Sequence, residues 1–398
     1  MANLCDCPID ETYKLANLSE RHFGAHIEQM LSAIHLVHFR NYDECRLELC
    51  PGFNCIVGSN GQGKTNLLEA IYYLSLLRSF RTNNVNEMKQ FKSQGFALHC
   101  EAAQPGMPSV KLSVSYGTER HLLVNGVPVY RASDFINRFI CMAFIPQDLS
   151  LIQGAPLLRR RFLDISISQV STDYMRHLQK FQEALHSRNV MLKDKAKYTR
   201  DTITAYDKVL AREASEIEVM RRDFAEMLNA YLGQLSDELV GDSRKLEIRY
   251  LSKIGPLLQE QHVSKEQIEA TYLENLEKAF SRDLEVGTTE LGPHRSDFSC
   301  LLGGILMQRF ASQGECRVGS LALKLACFNL VREKVGVENV TLLVDDVVGE
   351  LDMDRRTRFF KSVCNSGQTV FACTGIPSEI ASPDCIYRVR GGIMCREK

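Results

Sequence analysis

Two groups of residues, far apart in this chain, can share one chemistry. Gly58-Ser59-Asn60-Gly61-Gln62-Gly63-Lys64-Thr65 has the glycines, lysine and hydroxyl of a phosphate loop. Leu342-Leu343-Val344-Asp345-Asp346, followed by Gly349-Glu350-Leu351-Asp352, can supply acids for Mg2+ and water. Glycines let the backbone curl so that N–H groups converge on phosphates, aided by the N-terminus of the helix that follows. Lys64 is then expected to reach the β- and γ-phosphates, and the Thr65 hydroxyl to ligate Mg2+. Asp345 would hold the Mg2+ shell, and Asp346 would position or deprotonate the attacking water. An aspartate is shorter than the glutamate often found as base, so slow or partner-dependent hydrolysis of ATP is the expectation. Taken singly, the two groups also read as a glycine turn before a helix and as a strand-end acid pair.

The elements that must position these groups can be read from hydrophobic period. Phe53 to Val57 is a short buried strand running into the glycine loop, after which Leu67, Leu68, Ile71, Leu74 and Leu77 recur at helical spacing. Val340 to Val344 is a buried run with the acids at its carboxyl end. Further strands are expected at 33–39, 46–49, 97–102, 110–116 and 121–124, with Asn125-Gly126 as a hairpin turn. From Tyr174 to Leu232 the pattern changes to long amphipathic helices, seen in Leu178, Phe181 and Leu185 and in Ile217, Met220, Phe224, Met227, Leu228 and Tyr231. The expected fold is α/β, a P-loop ATPase head with an inserted, largely helical second lobe. The expected segments are 1–33 as an N-terminal extension, 34–155 as the first part of the head, 156–290 as the helical lobe and 291–398 as the rest of the head.

Bulk properties permit this reading without selecting it. The chain has 398 residues, with 48 Lys and Arg against 49 Asp and Glu, so any nucleic-acid surface must be a local basic patch. No apolar run of membrane-spanning length and no signal peptide is evident, and a cytoplasmic protein with no membrane partner is expected. The 14 cysteines lack paired CxxC spacing and read as free thiols, many of them buried.

Beyond the loop and acids, an ordered series of motifs resembles the RecF family of bacterial DNA replication and repair ATPases, of the ABC/SMC-like class. The series comprises Phe39-Arg40-Asn41-Tyr42, the loop extended through Ile71, Arg78-Ser79-Phe80-Arg81, and Phe144 to Leu149. It continues with Gly154-Ala155-Pro156, Arg159 to Asp164, Gly292 to Asp297, and Ser312-Gln313-Gly314-Glu315. The resemblance runs from about residue 34 to the C-terminus. It implies an ATP-dependent homodimer that binds gapped DNA or duplex–single-strand junctions and works with RecR-like and RecO-like mediators in loading a recombinase. It implies that Ser312 and Gly314 belong to a signature motif presented to the partner's nucleotide, that Gln147 senses Mg2+ and water, and that Arg40 lies near the nucleotide. It also implies that Leu351 and Asp352 belong to a loop communicating across the dimer. Two other readings stay open: a nucleotide switch that assembles a protein complex with little DNA affinity, and a small-molecule kinase, which the late signature and acid motifs oppose.

The chain departs from the family pattern in places. Gln147 stands where glutamate is more common, and Gly349 replaces a small hydroxyl residue. Thr374-Gly375-Ile376-Pro377 is less polar than usual, and neither Cys373 nor Thr374 supplies a histidine switch. Gly319 should weaken the signature helix by up to about 1 kcal/mol relative to alanine. These changes leave ATP binding as the firmer expectation and turnover as the weaker one. For DNA, Arg78 and Arg81 around Phe80, the run Arg159-Arg160-Arg161, and His294-Arg295 can meet backbone phosphates or pair within the protein.

Overall fold

The computed structural model describes residues 30–104, 107–194, 196–235, 244–254, 263–336, 340–346, 349, 352–363, 367–380 and 382–398. Most of the proposed extension, and Glu350 and Leu351 of the second acidic motif, lie outside the described residues. The chain divides into two compact units. The head unit holds the chain from the first described strand to Ala155, Tyr231–Glu247 and Cys300–Lys398, and the helical unit holds Pro156–Ala230 and Ile248–Ser299.

In the head unit, β1 (Met30–Phe39), β2 (Tyr42–Glu48), β4 (Phe96–Gln104), β5 (Met107–Tyr116), β6 (Arg120–Val124) and β7 (Val127–Val129) form one antiparallel sheet in the order β2-β1-β4-β5-β6-β7. Strand β1 starts three residues before the expected Ala33, inside the segment read as an extension. Met30 and Leu31 pair with Ala103 and Ala102, and the buried Leu31 N–H donates to Gln368 Oε1 at 3.0 Å. The Asn125-Gly126 turn joins β6 to β7 with both residues at positive φ, 52° and 80°, as a two-residue hairpin of this hand requires.

A second sheet runs β15-β14-β3-β13-β12-β8, built from β3 (Phe53–Val57), β8 (Ile140–Phe144), β12 (Val340–Asp345), β13 (Thr369–Cys373), β14 (Cys385–Arg390) and β15 (Ile393–Arg396). All its pairings are parallel except β14 with β15. Strands β3, β8, β12 and β13 are buried at every position, which suits their largely apolar sequences without alternation. Helix α1 (Lys64–Leu76) packs on β8, β12 and β13 of this sheet and on β1, β4 and β5 of the other. Its sequence suggested one apolar face; packed against both sheets it is buried on nearly all sides, Tyr72, Tyr73 and Glu69 included.

The helical unit contains α2 (Pro156–Val170), α3 (Thr172–Lys193), most of α4 (Arg200–Leu235) and α5 (Lys265–Val286). Chain contacts place 231–247 with the head and carry the helical unit on to Ser299, whereas the sequence suggested a single segment 156–290. The physical reason is pairing. Tyr231 bonds Glu333 and Arg244 bonds Glu315 at 2.7 Å in the head, whereas Ser296 donates to Glu218 and Asp297 pairs with Arg159 at 2.8 Å in the helical unit. The chain passes from one unit to the other after Ala155, within α4 after Ala230, within strand β9 (Leu246–Leu251) and within strand β10 (Asp297–Leu302), which pairs with β11 (Ile305–Leu306). Of the cysteines read as free thiols, Cys50 and Cys385 are instead paired in a disulfide, while eight other described cysteines are buried outside any disulfide.

Candidate nucleotide site

The phosphate loop leaves the carboxyl end of β3 and closes on the first turn of α1, whose first residue is Lys64. Gly61 and Gly63 have φ of 80° and 116°, values a side chain would strain. Gly63 is needed for a second reason: a Cβ there would lie 2.7 Å from Asn41 Nδ2 and 2.9 Å from the Tyr42 hydroxyl. Ser59, Asn60 and Gly61 are exposed at the crest, whereas Gly58 is buried against the Val389 carbonyl. Lys64 is buried, and its Nζ donates to the carbonyls of Gly58 at 2.6 Å and Ser59 at 3.0 Å. An ammonium has three donors, so these two bonds anchor the side chain across the loop without exhausting it.

Strand β12 lies two places from β3, with β13 between them, and brings Asp345 to the same end of the sheet. The Thr65 hydroxyl donates to Asp345 Oδ1 at 2.9 Å, joining residues 280 positions apart. Burial raises the Asp345 carboxyl above the usual aspartate range; the Thr65 bond and Lys64 oppose this, and Asp346 adds to it. Asp346 is exposed and adopts a positive φ of 46°, an uncommon conformation for aspartate. Gln147 is exposed on the turn Pro146–Ser150, three residues past the Phe144–Val344 pair of β8 and β12, at the same end of the sheet.

Arg40, expected to lie near the nucleotide, is paired within the chain. Its Nε and Nη2 form a two-point pair with the fully buried Glu69 of α1 at 2.8 and 2.7 Å, and Nη1 donates to the Glu87 carbonyl at 2.6 Å. Arg81 lies 3.7 Å from the same Glu69, which also accepts from Ser79. A carboxylate carried on α1 thus attracts the guanidinium inward, a partner that sequence could not name because Glu69 read as part of an apolar helix.

Ser312 and Gly314 lie at the start of α6 (Gln313–Val335), both exposed. Ser312 Oγ accepts from Glu315 N at 3.2 Å and Ser312 N donates to Glu315 Oε2 at 2.8 Å, a complete capping box. The Ser312 backbone N–H and then Arg244 hold the Glu315 carboxyl low, near 2. An accepting cap leaves the Ser312 hydroxyl proton free to point elsewhere. No described hydrogen bond joins Ser312 or Gly314 to the phosphate loop. Helix α6 runs unbroken through Gly319, where a Cβ would meet Ile152 and Met307 at 2.8 and 2.9 Å, so close packing leaves little room for a side chain. The segment after Gln147 lies along this part of α6, with Ile152 N donating to Ser320 Oγ at 3.3 Å and Asp148 pairing with Lys324 at 3.1 Å.

The candidate DNA contacts resolve unequally. Arg159 is buried against Asp297 in a two-point pair, and Arg160 donates to the Ser296 carbonyl at 3.2 Å, so these two arginines are engaged inside the helical unit. His294 is pushed down to about 4, chiefly by burial, and lies against Phe181 as a neutral ring. Asp352 caps α7 (Met353–Val363) by accepting from Arg355 N at 2.9 Å. Asn41 and Tyr42, given no role of their own within the motif that contains them, brace the loop; the glycine pair 391–392 was passed over, though its turn signal was available.

A phosphate loop between strand and helix, an acidic strand two places away and an inserted helical unit define an ABC/SMC-like P-loop ATPase head. An Smc head bound to the C-winged helix domain of ScpA has this fold, at TM-score 0.52 and 13% identity, covering 92% of this chain and 96% of that one. The RecF/RecN/SMC N terminal domain family matches residues 30–383. The DNA replication and repair protein RecF of Clostridium perfringens is 30% identical over 370 residues, 92% of this chain and 99% of that protein. The solved structure described as the recombination mediator protein RecF-ATP in the RecFOR pathway superposes at TM-score 0.85 with 30% identity, covering 95% of this chain and all of that one. The chain belongs to the RecF family. No described helix is long and apolar enough to cross a membrane.

Proposed function

We propose that this chain is an ATP-dependent DNA repair and replication protein that dimerises on ATP, recognises gapped DNA or duplex–single-strand junctions, and supports recombinase loading with RecR-like and RecO-like mediators. The observation that carries the nucleotide part is the Thr65–Asp345 bond, which joins the two halves of the split signature beside the anchored Lys64. The likeness to proteins described as RecF carries the DNA part.

In this reading Gly58 to Thr65 cradle the phosphates and Lys64 turns its remaining donor to them. Thr65 and Asp345 fit Mg2+: both offer hard oxygens, and a cation would offset the cost that burial and Asp346 add to ionising Asp345. Among the described residues there is no cluster of three or more His, Cys, Asp or Glu able to hold a metal alone, which suits an ion shared with phosphates. Magnesium, when bound, supplies positive charge beside the β- and γ-phosphates. Asp346 orients or deprotonates the attacking water, and Gln147 helps hold it. The short Asp346 side chain makes hydrolysis slow or DNA-dependent. Ser312, capped through its lone pair, turns its O–H to the γ-phosphate of a second copy, with Gly314 leaving room for the approach.

The test is binding of purified protein to gapped, duplex and single-stranded DNA with and without ATP, alongside its oligomeric state. ATP-induced dimers with raised affinity for gapped DNA support the reading, and Lys64→Met or Ser312→Arg should abolish the dimer. Normal dimerisation of both variants overturns the shared site. Dimers without DNA binding favour the second reading, a nucleotide switch assembling a protein complex, which the internal pairing of Arg159 and Arg160 already suits.

A further inference from the structure

The C-terminal hairpin meets the phosphate loop. Strands β14 and β15 are joined by Gly391–Gly392, at φ of 59° and 79°. Gly391 N donates to the Gln62 side-chain Oε1 at 2.5 Å, and Gly392 N to the Gln62 carbonyl at 3.3 Å. The same carbonyl accepts from Asn41 Nδ2 at 3.0 Å, and the next one, that of Gly63, accepts from the buried Tyr42 hydroxyl at 2.9 Å. Asn41 is itself held by Asn66 Nδ2 at 2.7 Å.

These bonds have a directional consequence. In a trans peptide the C=O and the following N–H point opposite ways. Fixing the Gln62 carbonyl outward therefore aims the Gly63 N–H the other way, and fixing the Gly63 carbonyl does the same for the Lys64 N–H. Converging N–H groups of this kind are what an anion-binding loop requires. Contacts along the hairpin are tight as well: a Cβ at Gly392 would lie 2.7 Å from the Asn41 carbonyl, and one at Gly58 would lie 2.7 Å from the Val389 carbonyl. Both obstacles are backbone, which cannot swing aside as a side-chain end can.

We propose that the hairpin β14–β15 is a positioning element of the nucleotide site, its glycine turn and Asn41 gripping Gln62 so that the loop's N–H groups face the phosphates of ATP. Gln62, read from the sequence as a phosphate-loop residue alone, then has a second role: its side chain is the handle by which the C-terminus holds the loop. This rests on the nucleotide reading above.

The test is calorimetric titration of the full-length protein with ATP and with ADP, reading affinity separately from the fraction of active sites. Gly392→Ala should weaken both nucleotides about 10-fold or more while the stoichiometry stays near wild type. Gln62→Leu, which removes only the side-chain bond and leaves the turn intact, should weaken them about 3-fold. A merely structural role would lower stoichiometry and leave the affinity of the remaining sites unchanged. Should Gly392→Ala not fold, Gln62→Leu decides alone. Wild-type affinity in the folded variants overturns the hairpin's role while Lys64→Met still loses ATP, so the nucleotide reading survives. If the wild type does not bind ATP, or Lys64→Met binds it equally well, both readings fall together.

Discussion

Lys64 in the head unit and Arg188 in the helical unit are both buried cations, yet their surroundings differ in kind. Lys64 bonds two neutral carbonyls at the mouth of a glycine loop. Arg188 is fully buried between Asp207 and Asp283, each at 2.7 Å, and also donates to Thr289. The helical unit repeats this pattern in Arg221, which reaches Asp164, Tyr174, Tyr250 and the Pro293 carbonyl. A cation matched by bonded carboxylates of its own chain holds helices together; one hydrogen-bonded only to neutral carbonyls leaves its charge unmatched by a bonded acid, as the proposed role of Lys64 requires. Type and burial alone do not separate the two roles.

The comparison can be broken most directly at Arg188. Arg188→Met leaves two buried carboxylates unpaired and should cost about 3–5 kcal/mol, read by denaturant unfolding. A loss well below that would mean the network is not what holds α3, α4 and α5 together. Lys64→Met should behave in reverse, weakening ATP roughly 10- to 100-fold while the nucleotide-free protein unfolds near the wild-type midpoint. Comparable losses of stability at both positions would erase the distinction.

Ser312→Ala sharpens it on a smaller scale. Loss of the cap should cost about 1 kcal/mol in the nucleotide-free protein, with threonine restoring most of it. A loss of ATP-driven dimerisation far beyond that cost would separate the γ-phosphate role from the cap.

The smallest effect should come from Asp345→Asn, because Thr65 and Lys64 offset part of the burial. Asp345 titrates above its unfolded value, so its ionisation is harder folded than unfolded. Its contribution is most favourable below the ordinary aspartate range and is lost as pH rises through the folded value. The asparagine variant should therefore unfold at a higher temperature than wild type at neutral pH, with the gap closing as pH falls towards about 4. A gap that persists unchanged in acid would show that the charge is not its cause.

Much of the head was legible because its signals are local. The β3–loop–α1 unit, the acid-tipped β12 and the Asn125–Gly126 hairpin each follow from period or turn chemistry within a few residues. Arg40 was harder, since its partner Glu69 sits in a helix that read as merely apolar. The run Arg159-Arg160-Arg161 has the composition of a phosphate-binding patch, but Asp297 and Ser296, more than a hundred residues later, engage its first two members. At Gly319 helix propensity speaks only of backbone freedom, and the tertiary packing adds what it could not: Ile152 and Met307 fill the space a side chain would need.

The sequence by itself determined which residues can curl around phosphates, which strand ends carry acids and which stretches alternate or recur at helical spacing. It also carried the ordered motifs of the RecF family. Tertiary structure alone decided which charges stay available: Thr65 meets Asp345 across 280 positions, the Gly391–Gly392 turn takes hold of Gln62 across 329, and Arg159 is neutralised by Asp297 across 138. The reason is physical. Backbone conformation is set largely by near neighbours, whereas the energy of a charge or a polar group depends on what surrounds it in space.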